Sequence, residues 1–348
     1  MRTLIVAPET LADAVMTQPL VALLDRFDPA GRIDVLTPPA LAPVFASMAE
    51  VTEVIPSNRA FGPLQPWGKM TLARRLDRLR HDRAYILPEQ KRAAIVPWLV
   101  GIPRRIGLHG DTRWGLINQP HDSTPPDTAA RGRPAVERYA HLAFDAAHPL
   151  PVQIPNPVLA RNAATEAEVR ARAGLDGDAR LLVLLLGGSA TPSRRWPARH
   201  WASLIAMAAE EWPDLQPVMV GSAPDRGFAT EVAALSGRAP LNLCGIQELE
   251  EAMATLAQAD AVVSHDCGLM HVAAAFSRPL VAVFGPTDPR FAPPRSARAK
   301  VEWLAQPCSP CEAPTCRYGH GLCMTGIGPE RVLGSLQTAM RFASRDIR

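Results

Sequence analysis

Residues 261–284, AVVSHDCGLMHVAAAFSRPLVAVF, combine two short apolar runs with a helical pattern between them. The apolar runs at 261–264 and 280–284 predict two buried strands, and the apolar spacing at 269–276 predicts a helix. Strands that alternate with helices form parallel sheets that are covered on both faces. This segment therefore predicts an α/β fold.

The same alternation occurs along most of the chain. Further strands are predicted at residues 3–7, 33–36, 53–55, 84–87, 105–107, 181–186 and 217–220. Further helices are predicted at residues 15–24, 72–79, 93–100, 197–210, 225–235, 247–256 and 329–342. The pattern indicates two α/β halves that face each other across a hinge.

Chain length and proline content indicate the domain boundary. A chain of 348 residues exceeds the roughly 100–200 residues that are usual for one domain. Residues 148–157, HPLPVQIPNP, carry four prolines, which oppose both helix and central strand. We predict an N-terminal domain at residues 1–150, a proline-rich linker at 151–160, a C-terminal domain at 161–328 and a closing helix at 329–348.

Composition excludes several classes of protein. A net charge of +3 is too small to indicate nucleic-acid binding, and 47% apolar residues are typical of a soluble globular protein. The longest apolar run, residues 181–186, is far shorter than the ~20 residues of a membrane span, so no transmembrane segment is expected. The N-terminus leads directly into a strand without a signal-peptide pattern, which predicts a cytoplasmic location.

Open parallel sheets bind ligands beyond the carboxyl ends of their strands, so the loops after strands are candidate sites. Asp13 follows the first strand and lies near the positive N-terminal end of the first helix. It is a candidate general base that takes a proton from a substrate hydroxyl. A carboxylate that only starts a helix is the alternative.

A glycine-rich loop with two arginines follows the strand at 181–186. Gly187 and Gly188 precede Arg194 and Arg195, which lie just before the next helix. Backbone N–H groups and guanidinium groups together suit a diphosphate, on which charge grows as it leaves. A solvated basic loop is the alternative.

Two further loops of the second half suit a nucleotide. Ser222 and Asp225 form a small-residue turn whose carboxylate can accept hydrogen bonds from ribose or cap the next helix. Asp266 and Gly268 precede a helix whose N–H groups can bind phosphate oxygens. His271 in that helix is either a packed histidine or part of the site.

Taken together, these motifs resemble the bacterial lipopolysaccharide ADP-heptose heptosyltransferases of glycosyltransferase family 9, heptosyltransferase II most closely. The resemblance extends over nearly the whole chain, and residues 264–287 are its most specific part. Further matching motifs are Arg194-Arg195-Trp196-Pro197, Gly221-Ser222 before Asp225, Leu87-Pro88, Gly101-Ile102-Pro103-x-Arg105 and Val136-Glu137-Arg138-Tyr139.

The resemblance implies a GT-B fold, with two Rossmann-like parallel-sheet domains facing across a cleft, and inverting transfer without a catalytic metal. It implies that Asp13 is the base and that Arg194 meets the donor phosphates where members commonly carry lysine. The donor-binding residues that it implies are Gly188, Arg195, Ser222, Asp225, Asp266, Cys267, Gly268 and His271. His265 and Cys267 depart from the Asn-Asp-Ser-Gly form that is commoner in that loop.

The donor implied by the resemblance is ADP-heptose, and the acceptor is lipid A–Kdo–heptose at the inner-membrane surface. Arg92 and Arg138 are the expected acceptor-binding residues. Anionic head groups would attract a wider basic set, which predicts a cytoplasmic protein peripheral to the inner membrane. That set comprises Lys69, Arg74, Arg75, Lys91, Arg92, Arg104 and Arg105, although such residues also simply keep a helix solvated.

Four of the six cysteines are crowded as Cys308-x2-Cys311-x4-Cys316-x6-Cys323. In a cytosolic chain such a cluster suggests metal ligation more than disulfides, and four thiolates can hold a structural zinc. Reduced cysteines without a metal are the alternative, because the spacings are not two CxxC pairs.

The expected function is transfer of L-glycero-D-manno-heptose from ADP-heptose to the heptose of the lipopolysaccharide inner core. Alternatives are a sister heptosyltransferase I or III with another core acceptor, and a sugar or nucleotide sensor without catalysis. A nucleotide-dependent oxidoreductase or epimerase is disfavoured, because no GxGxxG turn follows the first strand.

Overall fold

The computed structural model describes residues 1–62, 66–109, 113, 115–121, 133–148, 153–175, 179–187 and 191–345. Contacts divide the chain into two compact units, Met1–Ala160 and Arg161–Arg348. Within the described ranges, no helix is both long and apolar enough to cross a membrane. The described part of each unit contains a parallel sheet with helices between its strands, which confirms the predicted α/β class.

The described part of the first unit contains a six-stranded sheet in the order β3-β2-β1-β4-β5-β6. Its strands are β1 (Arg2–Val6), β2 (Arg32–Thr37), β3 (Glu53–Pro56), β4 (Arg83–Ile86), β5 (Arg104–Leu108) and β6 (Gln119–His121). Its helices are α1 (Leu11–Met16), α2 (Gln18–Phe27), α3 (Ala42–Ala46), α4 (Pro66–Asp77), α5 (Lys91–Val100) and α6 (Ala135–His141). Strand order reverses between β1 and β4, where open α/β sheets bind their ligands.

The described part of the second unit contains a six-stranded sheet in the order β12-β11-β10-β7-β8-β9. Its strands are β7 (Arg180–Leu185), β8 (Leu215–Val220), β9 (Leu241–Asn242), β10 (Ala261–His265), β11 (Leu280–Phe284) and β12 (Ala299–Trp303). Its helices are α7 (Ala163–Ala173), α8 (Ala198–Glu211), α9 (Arg226–Ser236), α10 (Leu249–Ala257), α11 (Gly268–Ala275), α12 (Leu322–Thr325) and α13 (Pro329–Arg345).

The central strands of the second sheet are apolar on both faces. All five residues of β10 are buried, and its pairing with β7 places Ala261 opposite Leu182. On the other side, Val262 of β10 lies opposite Leu280 of β11. Strands with helices on both faces read as continuous apolar runs, which is why these strands could be predicted from sequence alone.

The single helix predicted at residues 15–24 is wrong. The structure has two helices there, α1 and α2, which meet at Thr17. Pro19 lies in the first turn of α2, where its missing N–H costs no hydrogen bond, whereas in the interior of a longer helix it would break the ladder.

Three strands of the structure have no counterpart among the predicted ones. They are the outer strands β6, β9 and β12. β6 contains Pro120, β9 is two residues long and β12 is largely half-exposed. Short or proline-containing strands are tolerated at sheet edges, and their sequences lack the apolar run of a central strand.

The last helix packs within the second unit. α13 contacts α8, β10, β11 and β12, and Val332, Leu336 and Ala339 are buried along one side.

The C-terminal part of the predicted linker is hydrogen-bonded to other residues of the first unit. The Val158 amide donates to Gln18 Oε1 (3.1 Å), and the Ala160 amide donates to the Ser47 carbonyl (2.7 Å). Residues 149–152 lie outside the described ranges, and the predicted domain limits stay a prediction.

Candidate active site

Three loops of the second unit follow neighbouring parallel strands, and so they lie at one edge of the sheet. β7 lies between β10 and β8, and all three run in the same direction. The loops begin at Gly187, Gly221 and Asp266. They are the loops that the sequence singles out, apart from Gly188, which lies outside the described residues.

Two adjacent arginines of the first loop join the other two loops. Arg194 Nη1 lies 3.0 Å from Asp266 Oδ2, in the loop after β10. Arg195 Nη2 donates to Asp225 Oδ1 over 3.1 Å, in the turn after β8. The Arg195 guanidinium also lies 5.0 Å from the centre of the Phe228 ring. Both guanidinium groups are therefore held in place by carboxylates on separate loops.

Asp225 organises the turn after β8. It is fully buried, and its Oδ2 accepts hydrogen bonds from the Ser222 amide (3.0 Å) and the Ser222 hydroxyl. This is a capping box, so the structure shows the capping role that the sequence allowed for Asp225. A contact between Asp225 and ribose stays a prediction.

His265 is the last residue of β10, and its charged neighbours are Asp225, Arg195 and Arg194. Its side chain is fully buried, and among the described residues neither ring nitrogen has a hydrogen-bond partner. Its ring centre lies 6.1 Å from that of Trp201, which is buried in α8. Burial lowers the pKa of His265 to about 4, with Arg195 and Arg194 lowering it and Asp225 opposing the change. The ring is therefore neutral at pH 7.

Cys267, Gly268 and His271 lie at the start of α11. Cys267 Sγ lies 3.4 Å from the Ser264 hydroxyl, and burial raises the pKa of the Cys267 thiol. Gly268 is the first residue of α11, and His271 is 2% exposed within its first turns. The structure thus brings the predicted helix N-terminus beside Asp266, while the contacts of Cys267, Gly268 and His271 with a donor stay predictions.

The first unit places Asp13 in the first turn of α1. The Thr10 hydroxyl donates to Asp13 Oδ2 over 2.8 Å, and the Asp13 amide donates back to Thr10 Oγ1 over 3.2 Å. Burial raises the pKa of Tyr139 in α6, and the Asp13 carboxylate raises it further. Asp13 is thus oriented by its own turn and lies within electrostatic range of α6.

The two arginines predicted to bind the acceptor each pair with a glutamate. Arg92 Nη2 donates to both carboxylate oxygens of Glu9, over 2.8 and 3.0 Å, and Glu9 lies in the loop that leads into α1. Arg138 pairs with Glu89, in the loop after β4. The sequence prediction omitted both glutamates, although each follows a strand, which is the signal that identified Asp13.

A further arginine in this region was missed by the sequence prediction. Arg113 is 2% exposed, and its guanidinium donates to the carbonyls of Pro88 (2.9 Å) and Leu108. Burial lowers the pKa of Arg113, and Glu89 opposes this. No periodic pattern surrounds Arg113, so the sequence carried no signal for it.

Two residues of the predicted membrane-facing basic set donate to backbone carbonyls of the first unit. The Lys69 ammonium is buried and donates to the carbonyls of Arg59 (3.0 Å) and Ala60 (3.1 Å). The Arg105 guanidinium donates to the carbonyls of Ile102 and Leu116, both over 2.7 Å. These two charges hold turns of the first unit together, because buried backbone carbonyls need donors.

The four crowded cysteines line one cavity of about 270 Å³, which Arg195 also lines. All six cysteines are free thiols. Within the described part of the chain, no group of three or more His, Cys, Asp or Glu side chains is arranged to hold a metal ion, so the zinc hypothesis gains no support. The segment instead packs on the arginine loop, since Ser193 donates to the carbonyls of Ala313 (2.5 Å) and Pro314 (3.1 Å).

Comparison with known protein families shows the family of this chain. The family described as glycosyltransferase family 9 (heptosyltransferase) matches residues 69–321, which include Arg92 and Arg138 of the first unit and all three loops of the second. The chain belongs to glycosyltransferase family 9. It is therefore a glycosyltransferase, as the sequence predicts.

Similar proteins within the family match over nearly their whole length. Lipopolysaccharide heptosyltransferase 2 of Escherichia coli is 33% identical over 98% of this chain and 99% of its own. A structure of E. coli ADP-heptose lipopolysaccharide heptosyltransferase II has a TM-score of 0.84 and 31% identity, covering 99% of this chain and 100% of that one. An E. coli heptosyltransferase structure with ADP, 21% identical, has a TM-score of 0.71 over 97% of this chain and 100% of that one, which shows a shared fold.

Proposed function

We propose that this family 9 enzyme transfers L-glycero-D-manno-heptose, with inversion, from ADP-heptose to the heptose of the lipopolysaccharide inner core. The observation that carries the proposal is the pairing of Arg194 with Asp266 and of Arg195 with Asp225. These pairings fix two guanidinium groups, each beside a carboxylate, at the carboxyl edge of a Rossmann-like sheet. The names of the similar proteins, heptosyltransferase 2 and ADP-heptose heptosyltransferase II, support the donor and the acceptor.

On the donor side, the arginines stabilise the charge that develops on departing ADP. Arg194 is about one-third exposed, so a diphosphate can reach it and share it with Asp266. A guanidinium already held by a carboxylate needs little reorganisation when charge appears on the phosphate. The N–H groups at the start of α11, beside Asp266, add further donors. In this proposal the guanidinium groups supply the positive charge, and catalysis requires no metal.

On the acceptor side, Asp13 takes the proton from the attacking hydroxyl. The hydrogen bond from Thr10 holds one of its oxygens and thereby orients the carboxylate. Arg92 and Arg138 bind anionic groups of a lipid A–Kdo–heptose acceptor, since both are partly exposed and both are held by glutamates. An acceptor held at a membrane requires the enzyme to work at the cytoplasmic face of the inner membrane.

The test is turnover and ADP binding by an Asp13→Asn variant. We expect the rate of ADP release from ADP-heptose and core lipid to fall about 10²–10⁴-fold, the usual contribution of a general base. ADP affinity, measured by calorimetry, should stay within about twofold, because Asp13 lies in the first unit and the proposed donor-binding residues lie in the second. Glu9→Gln, in the loop that leads into α1, is the matched control, and it should retain far more activity. An Asp13→Asn enzyme with full turnover would remove Asp13 from the mechanism.

The acceptor is tested separately with a panel of core lipids that differ only in core length. Transfer to a core that already carries one heptose is the expected result. Transfer only to a core without heptose, or only to a longer core, would instead assign a heptosyltransferase I or III acceptor. ADP binding without any ADP release from the whole panel would indicate a nucleotide-sugar sensor.

A further inference from the structure

A cavity of about 350 Å³ lies against the sheet of the first unit. Its lining includes Arg83 and Tyr85 of β4, Arg104 and Ile106 of β5, and Gln119 of β6. The two arginines and the glutamine are the first residues of their strands, whereas the candidate active site follows the carboxyl ends. Among the described residues that line the cavity, none is a candidate site residue of this unit.

The strand register places the two arginines of this cavity side by side. Arg83 lies opposite Arg104 between β4 and β5, and Tyr85 lies opposite Ile106 two residues further on. Residues two apart point to the same face of a strand, so Arg83 and Tyr85 share one face. Ala84, between them, belongs to the core on the other face, together with residues of α4 and α5. Two positive charges on neighbouring strands repel each other, and an anion between them would relieve this repulsion.

Neither arginine forms an ion pair with a described residue. Arg83 Nε donates to Thr3 Oγ1 over 2.8 Å, and its guanidinium lies 5.7 Å from the centre of the Tyr85 ring. Arg104 is exposed, and its side chain has no hydrogen-bond partner among the described residues. Asp145 also lines the cavity, and it pairs with neither arginine. The cavity therefore contains two guanidinium groups whose charge no described carboxylate neutralises by direct contact.

Tyr85 adds a buried hydroxyl group to the same cavity. Its side chain is 3% exposed, yet within the described part of the chain its hydroxyl has no hydrogen-bond partner. Burying a hydroxyl without a partner costs free energy, so such a group usually binds a water or a ligand. Burial raises the pKa of Tyr85, while the charges of Arg83 and Arg104 lower it. The phenol is therefore protonated at pH 7 and can donate, and both arginines lie within electrostatic range of it.

We propose that this cavity binds a small phosphorylated molecule, whose phosphate lies between Arg83 and Arg104 and accepts a hydrogen bond from Tyr85. Phosphate oxygens form charge-assisted hydrogen bonds with guanidinium groups, whose planar geometry they match. Gln119 and Asp145 are exposed, and their side-chain oxygens can accept hydrogen bonds from hydroxyl groups of the same ligand. The cavity volume lies within the range of small-molecule sites.

This inference concerns the first unit and does not depend on the proposed heptose transfer. The test is isothermal titration calorimetry of the whole chain with glycerol 3-phosphate and, in parallel, with glycerol. Both titrations are run with and without saturating ADP, which occupies the proposed donor site in the second unit. Glycerol 3-phosphate should bind under both conditions and glycerol should not, and added salt should weaken the binding because the contact is ionic. Binding that ADP abolishes would place the phosphate in the donor site and would overturn the proposal.

Two variants each remove one contact with the phosphate. Arg104→Gln should weaken the binding of glycerol 3-phosphate at least tenfold, since it removes charge-assisted hydrogen bonds. Tyr85→Phe should weaken it about fivefold, since one neutral donor is lost. The melting temperature of ligand-free Tyr85→Phe should equal or exceed that of the unaltered protein, because its hydroxyl has no partner in the described structure to lose.

Arg32→Gln is the matched control for the loss of one positive charge. Arg32 is the exposed first residue of β2, at the same edge of the same sheet, and it is not among the described residues that line the cavity. Its affinity for glycerol 3-phosphate should stay within about twofold of that of the unaltered protein. Unchanged binding by folded Arg104→Gln, or an equal loss in Arg32→Gln, would contradict the proposed site. So would displacement of glycerol 3-phosphate by phosphatidylglycerol vesicles, because the arginines would then bind lipid head groups.

Discussion

Replacing His265 by asparagine should change how the stability of the protein depends on pH. The folded protein keeps His265 neutral, with a pKa of about 4, whereas the ordinary value is 6.5. Between these values the unfolded chain binds a proton that the folded chain does not, so the free energy of unfolding falls as pH falls. The stabilising contribution is complete above pH ~6.5 and lost progressively towards pH ~4.

The size of this effect follows from the pKa difference. One pKa unit corresponds to about 1.4 kcal/mol, so His265 alone should remove about 3 kcal/mol of stability between pH ~6.5 and ~4. The groups around the ring, Asp225, Arg194 and Arg195, remain in the variant. A difference between the two proteins therefore isolates the histidine.

The assay is urea unfolding, followed by circular dichroism at several pH values between 4 and 7.5. The unaltered protein should lose about 3 kcal/mol more than His265→Asn over this range, whatever their stabilities at pH 7. His320→Asn, at an exposed position, is the control and should follow the unaltered protein. Parallel pH curves for the unaltered protein and His265→Asn would refute the reasoning, because they would show that His265 can be protonated in the folded state.

Three further substitutions test the packing. Gly245→Ala should destabilise the second unit by about 2–4 kcal/mol in urea unfolding, because Gly245 has φ +68° and an added Cβ would lie 2.5 Å from Ala223 Cα. Trp196→Phe should cost about 1–3 kcal/mol in the same assay, since it leaves the buried Ile327 carbonyl without the indole donor at 2.9 Å. Asp34→Asn should make the first unit less stable at pH 7 but less sensitive to acid. Although burial raises the pKa of Asp34, hydrogen bonds from His81 and Arg2 lower it further, and that stabilisation is lost as pH falls below ~4. The midpoint of urea unfolding, measured at a series of acidic pH values for both proteins, tests this prediction.

The sequence determined the central strands and the loops that follow them. β7, β10 and β11 are short apolar runs bounded by polar or glycine-containing loops. Such runs are typical of central strands in a parallel sheet that is covered by helices on both faces. Because the carboxyl ends of parallel strands share one edge, the sequence also indicated that Arg194, Asp225 and Asp266 belong to one site. This assignment of residues to one site follows from the loops in which they occur and requires no knowledge of side-chain geometry.

Tertiary structure alone decided which charges meet and which are buried. The sequence did not show that Arg194 pairs with Asp266 while its neighbour Arg195 pairs with Asp225, because those partners are 30 to 72 residues away. Nor did it show that Lys69 faces inward while Trp67 faces solvent, since residue type alone predicts the reverse. Whether a residue is buried depends on which neighbouring elements cover it, and the local sequence does not show this. A charged side chain can be buried when it donates hydrogen bonds to backbone carbonyls elsewhere in the chain.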